Sequence, residues 1–366
     1  MEYLLLLIVV FILLLLSIRY IIKLSYNLAK KYVSNKIITS VLSLVPIILF
    51  VIGIYIDPIN AIVVDVHLIV LTLIIKLVFV IIKRVTKKGF SEYLVVFIGI
   101  IVSTLILVPA YFRAYDVNQT NYSVYTKKDI GEDNFRIIQV SDSHMGTTMN
   151  GKEFGKYIEE INELEPDIVV ITGDFVDDYT SYADMIEASK TLGKLKTKNG
   201  VYFIVGNHDR GYFKSRGYSY SDIKQELVKN NVIVLEDNLT NVTNNIVIIG
   251  RDDSSNLDRK SISDLTKDID KDKYIITLNH QPNDYENEVK AEVDLVLSGH
   301  THGGHLFPLG ELGGLLGVND KIYGMETRNK TTFIVNSGIG GWAIKFRTKS
   351  IAEYAVIDVT SEFNRK

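Results

Sequence analysis

The chain contains 366 residues with 40 Lys and Arg, 43 Asp and Glu and no Cys, which gives a formal net charge of −3. This length is enough for about two domains, and the lack of Cys excludes disulfides and thiolate metal ligands. The charge is unevenly divided, because residues 1–112 carry a net charge of +6 and residues 113–366 a net charge of −9. The sequence therefore predicts a basic membrane segment followed by an acidic soluble domain, without a basic tract that would bind nucleic acid.

Four apolar stretches occur in the first third of the chain, at residues 4–22, 37–56, 62–82 and 93–111. Each is close to the roughly 20 residues that cross a bilayer as a helix. A cleaved signal peptide would account for the first stretch alone. We therefore predict a four-helix transmembrane domain over residues 1–112, in which Pro46 kinks the second helix.

The loops between these stretches differ in charge. The first loop, residues 19–36, has five basic residues and the third, residues 83–88, has four, whereas the second, residues 57–60, has none. Short loops rich in Lys and Arg stay on the cytoplasmic side. We therefore expect a multi-pass protein of the cell membrane, with both termini and the soluble domain outside the cytoplasm. One span more or fewer would reverse this orientation.

The third stretch contains three polar residues in an apolar setting, Asp65, His67 and Lys76. Ionisable groups inside a membrane are candidates for function. Asp65 and His67 lie near a helix end, however, and a Lys can extend toward the interface or face the bundle interior. The sequence leaves both interpretations open.

From residue 113 the pattern changes to short β-branched runs that alternate with amphipathic stretches. The runs predict strands at residues 135–140, 167–172, 201–205, 246–249, 274–278, 293–297 and 332–336. The amphipathic stretches predict helices at residues 151–164, 182–195, 219–230 and 261–267. This alternation indicates an α/β domain over residues 134–366. Residues 113–133 form a polar linker that can add an edge strand.

Five short polar blocks follow predicted strands and contain five of the seven His residues. The blocks begin at Asp142, Gly173, Gly206, Asn279 and Gly299. Because ligands bind beyond the carboxyl ends of strands in α/β sheets, side chains from all five blocks are expected to meet at one edge. Carboxylate, amide and imidazole groups without sulfur are the donors of a two-metal hydrolytic centre that holds Mn, Fe or Zn.

The order of these blocks, Asp-x-His, Gly-Asp-x-x-Asp, Gly-Asn-His-Asp, His and Gly-His-x-His, resembles the calcineurin-like metallophosphoesterase superfamily, in particular its bacterial membrane-associated branch. The resemblance covers roughly residues 134–358 and implies a four-layer sandwich of two mixed sheets flanked by helices. It implies that one metal is held by Asp142, His144, Asp174 and His302. The other metal would be held by Asp174, Asn207, His280 and His300, so that Asp174 bridges the two.

The resemblance also implies a chemical mechanism. A hydroxide that bridges two divalent cations attacks phosphorus in line, without a covalent enzyme intermediate, and the cations neutralise the developing charge. His208 donates a hydrogen bond or a proton to the phosphate or the leaving group and is oriented by Asp209. Asp177, which completes the Gly-Asp-x-x-Asp block, is expected to orient a metal ligand by hydrogen bonding.

Three further residues are candidates for substrate contact. Arg210 begins a loop with four aromatic residues and three cations, Arg210, Lys214 and Arg216. These cations either bind phosphate or are simply solvated. His305 either contacts substrate or is an exposed loop residue, and Arg347 lies in a block where the resemblance implies contact with substrate phosphate. Residues 306–318 form an apolar segment that either packs at the core edge or receives an acyl chain.

These features together predict a membrane-anchored, dinuclear-metal phosphoesterase. Its expected substrate is a phosphorylated small molecule or lipid of the cell envelope with a phosphodiester or pyrophosphate bond. The alternative is a non-catalytic membrane sensor or scaffold that binds a phosphorylated ligand, but such a protein is expected to have lost metal ligands, and none is lost here. A transporter with an accessory phosphatase domain ranks below both, because the spans contain few charges.

Overall fold

The computed structural model describes residues 2–211, 216–307 and 317–363, with the side chains of residues 2–14 and 17 outside the description. The chain divides into two compact units, Met1–Pro109 and Ala110–Lys366. We call them the membrane unit and the α/β unit. The division falls slightly before residue 112, the domain boundary expected from the sequence.

In the described residues the membrane unit is helical. Its helices are α1 Glu2–Tyr32, α2 Lys36–Ile56, α3 Pro58–Thr86 and α4 Glu92–Tyr115, of which α4 continues into the α/β unit from Ala110. A single residue, Asp57, separates α2 from α3, and its side chain accepts a hydrogen bond from Asn60 N at 3.3 Å. Because Asp is a favourable N-cap and Pro is favourable at the first helical position, the dipeptide Asp57-Pro58 stops one helix and starts the next.

Three of these helices, α2, α3 and α4, are long and apolar enough to cross a membrane, judged by length and composition among the described residues. Four spans are predicted from the sequence, so the structure supports one span fewer. The remaining predicted span covers residues 4–22. There α1 is helical, but most of the side chains lie outside the described part of the chain.

The α/β unit contains twelve strands and six helices within the described residues. The strands are β1 Val117–Thr126, β2 Asn134–Val140, β3 Ile168–Ile171, β4 Val201–Ile204, β5 Val232–Leu235, β6 Asn238–Asn241, β7 Ile246–Gly250, β8 Tyr274–Leu278, β9 Leu295–Ser298, β10 Gly324–Arg328, β11 Thr331–Val335 and β12 Ala352–Ser361. The helices are α5 Gly151–Glu163, α6 Tyr182–Leu192, α7 Asn207–Arg210, α8 Tyr220–Lys229, α9 Ile262–Thr266 and α10 Tyr285–Lys290.

These strands form two mixed six-stranded sheets, ordered β1-β12-β2-β3-β4-β5 and β10-β11-β9-β8-β7-β6. Successive side chains of a strand point to opposite faces, so each buried strand serves two cores. In β2, Ile137 packs in a core that contains strand residues from both sheets, such as Ile276 of β8. The next residue, Ile138, packs with Phe154 of α5 and Met185 of α6 on the outer face of the first sheet.

The second sheet is covered on its outer face in the same way. Ile275 of β8 and Phe333 of β11 pack with Ile262 of α9 and Tyr285 of α10, and the rings of Tyr285 and Phe333 stack with centroids 3.7 Å apart. The layers therefore run helices, sheet, sheet, helices. This confirms an α/β sandwich of two mixed sheets flanked by helices.

Every predicted strand and helix of the α/β unit overlaps an observed element. Residues 113–133, which the sequence predicts to be a linker, contain the end of α4 and strand β1. This strand lies at the edge of the first sheet. Strands β5, β6, β10 and β12 and helices α7 and α10 have no counterpart in the predictions. Most of them are only four to six residues long, too short for a periodic pattern to emerge.

Parallel pairing sets the position of the polar blocks. In the first sheet β2, β3, β4 and β5 run parallel to one another, and in the second sheet β7, β8, β9 and β11 do the same. The carboxyl ends of each parallel set therefore lie along one edge of its sheet. All five polar blocks follow strands of these two sets.

Candidate metal centre

Five strand ends supply the side chains that the sequence motifs identify. β2 leads to Asp142 and His144, and the ends of β3, β4, β8 and β9 lead to Asp174, Asn207, His280, His300 and His302. The first two loops are joined by their backbones, since Asp142 N donates to Gly173 O at 3.0 Å and His144 N donates to Asp174 O at 3.1 Å. The loops after β2 and β3 therefore form one continuous surface.

Five of these residues adopt left-handed backbone angles, which are unfavourable for a residue with a Cβ atom. The φ angle is 50° at Asp142, 38° at His144, 52° at Asp174, 71° at His300 and 49° at His302. Backbone strain of this kind persists only where the surroundings over-determine the conformation, and it concentrates at functional sites. Here the strained backbone occurs at the polar side chains that converge beyond the strand ends.

The first group of converging side chains is Asp142, His144 and His302, each with one ligand atom within 4.8 Å of the other two. The Nε2 atoms of His144 and His302 are 3.2 Å apart, and His302 Nε2 is 3.8 Å from Asp142 Oδ1. Burial and the nearby His144 lower the pKa of His302 well below its ordinary value. The Nε2 atoms of His302 and His144 face each other, and a neutral imidazole can bind a cation through such a nitrogen. The two His residues are therefore suited to bind the same cation.

The second group is Asp174, His280 and His300, whose ligand atoms also lie within 4.8 Å of one another. His280 Nε2 is 3.1 Å from both Asp174 Oδ2 and Asn207 Oδ1. Its Nδ1 is 2.8 Å from the carbonyl oxygen of Thr172, so Nδ1 donates and Nε2 is oriented toward the two side-chain oxygens.

Asp174 of the second group also approaches the first group, because its Oδ2 is 3.6 Å from His144 Nε2. Asp142 and Asp174 are both essentially fully buried. Burial raises the pKa of Asp142, whereas for Asp174 burial is opposed by His280, His144 and His208, which together lower the pKa. Two carboxyl groups enclosed by imidazoles and removed from water require positive charge close by.

The residues present therefore fit a pair of cations. For His280, burial alone would lower the pKa, but the field of Asp174 raises it to about 10, so positive charge at Nε2 is favoured. For His300, burial and the nearby His280 lower the pKa to about 4, which leaves a neutral imidazole available to a metal. Oxygen and nitrogen donors without sulfur suit Mn, Fe or Zn. The two groups of side chains thus fit a dinuclear metal site.

His208 lies beside this site with Asp177 next to its ring. Its Nδ1 is 3.4 Å from Asp177 Oδ1, and the other oxygen of Asp177 is 3.5 Å from His144 Nδ1. Burial lowers the pKa of His208, but Asp177 and Asp174 together raise it above its ordinary value. Asp177 is thus placed to orient both a metal ligand and the candidate proton donor.

Asp209, assigned from the sequence to orienting His208, has a different environment. Its carboxylate accepts hydrogen bonds from the backbone N–H groups of Asp174 (2.9 Å), Val176 (3.1 Å) and Gly206 (2.8 Å). Burial and the negative charge of Asp174 raise the pKa of Asp209 to about 6. Asp209 thus ties together the loops after β3 and β4, and its orientation of His208 stays a prediction from the sequence.

Two of the candidate substrate residues have partners within the α/β unit. Arg210 forms an ion pair with Asp252 and lies 5.3 Å from the ring centroid of Tyr220. His305 Nε2 is 3.2 Å from Ile344 O, and burial together with Arg347 lowers its pKa to about 3. His305 is therefore neutral, and Arg210 already has an anionic partner. Lys214 and most of the apolar segment at residues 306–318 lie outside the described residues.

Arg347, predicted to meet substrate phosphate, is fully buried. Its guanidinium donates to the carbonyl oxygens of Ser337 (2.7 Å) and Gly338 (3.1 Å), and also to those of Gly340 and Ile351. Burial lowers its pKa to about 10, so it still carries its charge. Arg347 therefore holds the loop that follows β11, and its contact with substrate phosphate stays a prediction from the sequence.

Two residues that support the second metal group are absent from the sequence-based predictions. Gln281 Nε2 donates to Asp253 Oδ2 at 2.6 Å and lies 3.2 Å from Asn207 Oδ1. Asp253 is completely buried and follows β7 just as the other polar blocks follow their strands. That position at a strand end was the signal available in the sequence.

Gly206 is the position where a small side chain is required most directly. A Cβ atom at this residue would lie 2.9 Å from Asp174 Cγ and closer still to Asp174 N. We predict that Gly206→Ala displaces the shared carboxylate and weakens Mn²⁺ binding about 10- to 100-fold, the range found when the support of a metal ligand is lost. Isothermal titration of the full chain with Mn²⁺ measures this change.

Gly155 in α5 provides the matched control, because a Cβ atom there would meet Thr191 Cγ2 at an ordinary 3.6 Å. Gly155→Ala is expected to leave Mn²⁺ affinity unchanged and to stabilise the helix slightly. Equal Mn²⁺ affinity in Gly206→Ala and in the wild-type chain would contradict the assignment of Asp174 as a metal ligand.

Two solved structures are similar to this chain at low sequence identity. One is a dimetal phosphatase from Danio rerio, with a TM-score of 0.37 and 12% identity over 61% of this chain and 91% of that chain. The other is TT1561 of Thermus thermophilus, with a TM-score of 0.38 and 12% identity over 56% of this chain and 89% of that chain. Both similarities are distant in backbone and in sequence.

Curated relatives share more of the sequence. An uncharacterized metallophosphoesterase of Aquifex aeolicus is 31% identical over 207 residues, which are 55% of this chain and 76% of the relative. The uncharacterized metallophosphoesterase Cj0846 of Campylobacter jejuni is 30% identical over 240 residues, 64% of this chain and 60% of the relative. A transmembrane protein with metallophosphoesterase domain of Bos taurus is 30% identical over 60% of this chain and 51% of its own length. The match thus spans between half and three quarters of these relatives.

The calcineurin-like phosphoesterase family matches residues 135–304. This range begins in β2 and includes every predicted metal ligand from Asp142 to His302. Together with the Aquifex aeolicus relative, the match confirms the family that the motifs suggest. The chain therefore belongs to the calcineurin-like metallophosphoesterases, a family of metal-dependent phosphoester hydrolases.

Proposed function

We propose that the chain is a membrane-anchored phosphoesterase that uses two divalent cations, Mn, Fe or Zn, to hydrolyse a phosphodiester or pyrophosphate bond. The observation that carries the proposal is the convergence of ligand side chains from five strand ends on two groups that share Asp174. One metal would be held by Asp142, His144, Asp174 and His302. The second would be held by Asp174, Asn207, His280 and His300.

Two bound cations would supply a nucleophilic water at neutral pH and neutralise the charge that develops on the phosphoryl oxygens. The residues of the chain then orient the substrate and provide the proton. His208 N donates to Asp174 Oδ1 at 2.8 Å, which fixes the His208 backbone to the shared carboxylate. Because Asp177 lies beside Nδ1 of His208, Nε2 is the atom that would donate a proton to the leaving oxygen.

The exposed side of the site supports an organic phosphoester as substrate. His208 and its neighbours are buried, but Trp342 is 42% exposed and its ring centroid is 5.5 Å from that of His208. An apolar ring beside the proton donor offers a surface for the leaving group of the substrate. This arrangement favours a phosphoester with an organic leaving group over inorganic phosphate compounds.

Membrane association narrows the proposed substrate class. Three described helices are suited to cross a membrane, and relatives from Bos taurus and Danio rerio are named transmembrane proteins with a metallophosphoesterase domain. We include α1 as a fourth span, and the loop charges then orient the α/β unit outside the cytoplasm. A lipid-linked or cell-envelope phosphodiester or pyrophosphate is the substrate that this orientation favours.

The catalytic assignment predicts that Asp174→Ala abolishes hydrolysis, because this substitution removes the carboxylate shared by both proposed metals. The full chain, purified in mild detergent and supplied with Mn²⁺, is expected to turn over bis(p-nitrophenyl) phosphate. Asp174→Ala is expected to give only background turnover. The matched control is Asp268→Ala, an exposed Asp in the same unit, which should retain wild-type turnover.

Activity that survives in Asp174→Ala would contradict the proposed centre. The same preparation also separates the enzyme from the alternative of a non-catalytic sensor or scaffold. A sensor would bind a phosphorylated ligand or metal without turnover of any phosphodiester or pyrophosphate substrate. Measured metal content together with turnover therefore decides between the two classes.

The different environments of Asp177 and Asp209 predict different kinetic effects. Asp177→Asn removes the charge beside the rings of His208 and His144, and it is expected to lower kcat about 10- to 100-fold even at saturating Mn²⁺. Asp209→Asn leaves one acceptor oxygen for three backbone N–H groups, so it is expected to lower the melting temperature and Mn²⁺ affinity first.

Steady-state kinetics at several Mn²⁺ concentrations and thermal unfolding of both variants check this difference. If Asp209→Asn lowers kcat at saturating Mn²⁺ as much as Asp177→Asn does, with an unchanged melting temperature, the original assignment of Asp209 to His208 is favoured instead.

The proposed orientation is testable by labelling, because the chain has no Cys. A single Cys placed at Asp268 of the α/β unit is expected to react with a membrane-impermeant maleimide in intact cells. A single Cys at Lys87, in the basic loop after α3, is expected to react only after lysis. The opposite pattern would place the α/β unit in the cytoplasm and remove envelope phosphodiesters from the substrate class.

A further inference from the structure

The membrane unit contains an open-sided cavity of about 890 Å³ that is lined mainly by α1, α3 and α4. Its walls are mainly apolar, as the lining residues Leu24, Leu68 and Phe97 illustrate. One basic residue, Lys76 of α3, lines it as well. This volume is within the range of cavities that enclose a small organic ligand, about 300–1,000 Å³. A polar residue to which the sequence assigns no role therefore lies at an apolar cavity.

Lys76 lies well inside the helix and has a carboxylate near it. It precedes the end of α3 at Thr86 by ten residues, which corresponds to about 15 Å of helix. The rings of Phe79 and Phe90 stack with centroids 4.4 Å apart, so the α3–α4 connection folds back along α3. This brings Glu92 of α4 to 3.7 Å from Lys76 Nζ, which is too far for a hydrogen bond.

Two tyrosines complete the polar end of the cavity. Lys76 Nζ is 4.8 Å from the ring centroid of Tyr20, whose buried hydroxyl has no hydrogen-bond partner among the described residues. Lys31 Nζ is 4.4 Å from the ring centroid of Tyr93, a residue that also lines the cavity. Two cations therefore lie beside neighbouring residues of α4, Lys76 beside Glu92 and Lys31 beside Tyr93, and Tyr20, with its unused O–H donor, lies next to Lys76.

We propose that this cavity binds an anionic phospholipid, with an acyl chain between α1, α3 and α4 and its phosphate at Lys76 and Tyr20. A donor without a partner is costly inside a membrane, and a phosphate accepts hydrogen bonds from both Tyr20 and Lys76 while adding the negative charge that this end lacks. Basic pockets between transmembrane helices are established sites for acidic lipid head groups. The proposal does not depend on the activity of the α/β unit.

The test measures which lipids the full chain retains. The protein is purified from mixed micelles with equal amounts of phosphatidylglycerol and phosphatidylcholine, and the bound lipids are counted by native mass spectrometry. The wild-type chain is expected to retain phosphatidylglycerol over phosphatidylcholine about fivefold, the selectivity expected of one Lys beside a head group with a net negative charge. Lys76→Met should remove this preference, and Tyr20→Phe should reduce it. Lys83→Met, at an exposed position in the last turn of α3, should keep it.

Three outcomes would overturn the proposal. An unchanged lipid ratio in Lys76→Met excludes the site, and an equal loss in Lys83→Met indicates general attraction to the basic loop. A lipid-free dimer that dissociates in Lys76→Met assigns the cavity to a second copy of the chain. If Lys76→Met fails to give a folded protein by circular dichroism, the conservative Tyr20→Phe variant decides, because an unchanged ratio there also excludes the site.

Discussion

The buried carboxylate of Asp174 is the constraint on which the rest of the site depends. One oxygen lies near His280 and His144, and the other accepts from the backbone N–H of His208. Burying a charge in this way is unfavourable unless partners surround it on every side. The left-handed backbone at Asp174 and the restriction of position 206 to Gly are both conditions for bringing those partners close.

The same carboxylate explains why both sheets are needed. Asp142, Asp174 and Asn207 follow strands of the first sheet, whereas His280 and the two His residues after β9 follow strands of the second. Each group joins side chains from both sheets, so the geometry within each group depends on the apolar layer between the sheets, which includes Ile137 and Ile276. Because protein interiors are closely packed and transmit small displacements, that layer acts directly on the geometry of the site.

The convergence of the candidate metal-binding side chains was predictable because each follows a short buried strand, a local pattern that the structure preserves. The contact between Asp177 and His208 was not, since it depends on how the loop after β3 folds. Arg347 shows the same limit, because an Arg is ordinarily exposed, and only the folded loop supplies the carbonyl oxygens that bury it. The side chains of the first predicted span lie largely outside the described residues, so this span remains a prediction from the sequence.

Strand β12 has a consequence for the order in which the α/β unit folds. It lies between β1 and β2, parallel to the first and antiparallel to the second, and the Arg136–Asp358 ion pair joins residues 222 positions apart. Pairing at such a sequence separation is slow, because a long loop must close before any contact forms. Until β12 arrives, β1 and β2 both present open edges that can pair with other chains. The polypeptide is therefore most prone to aggregation in the interval before its final strand is inserted.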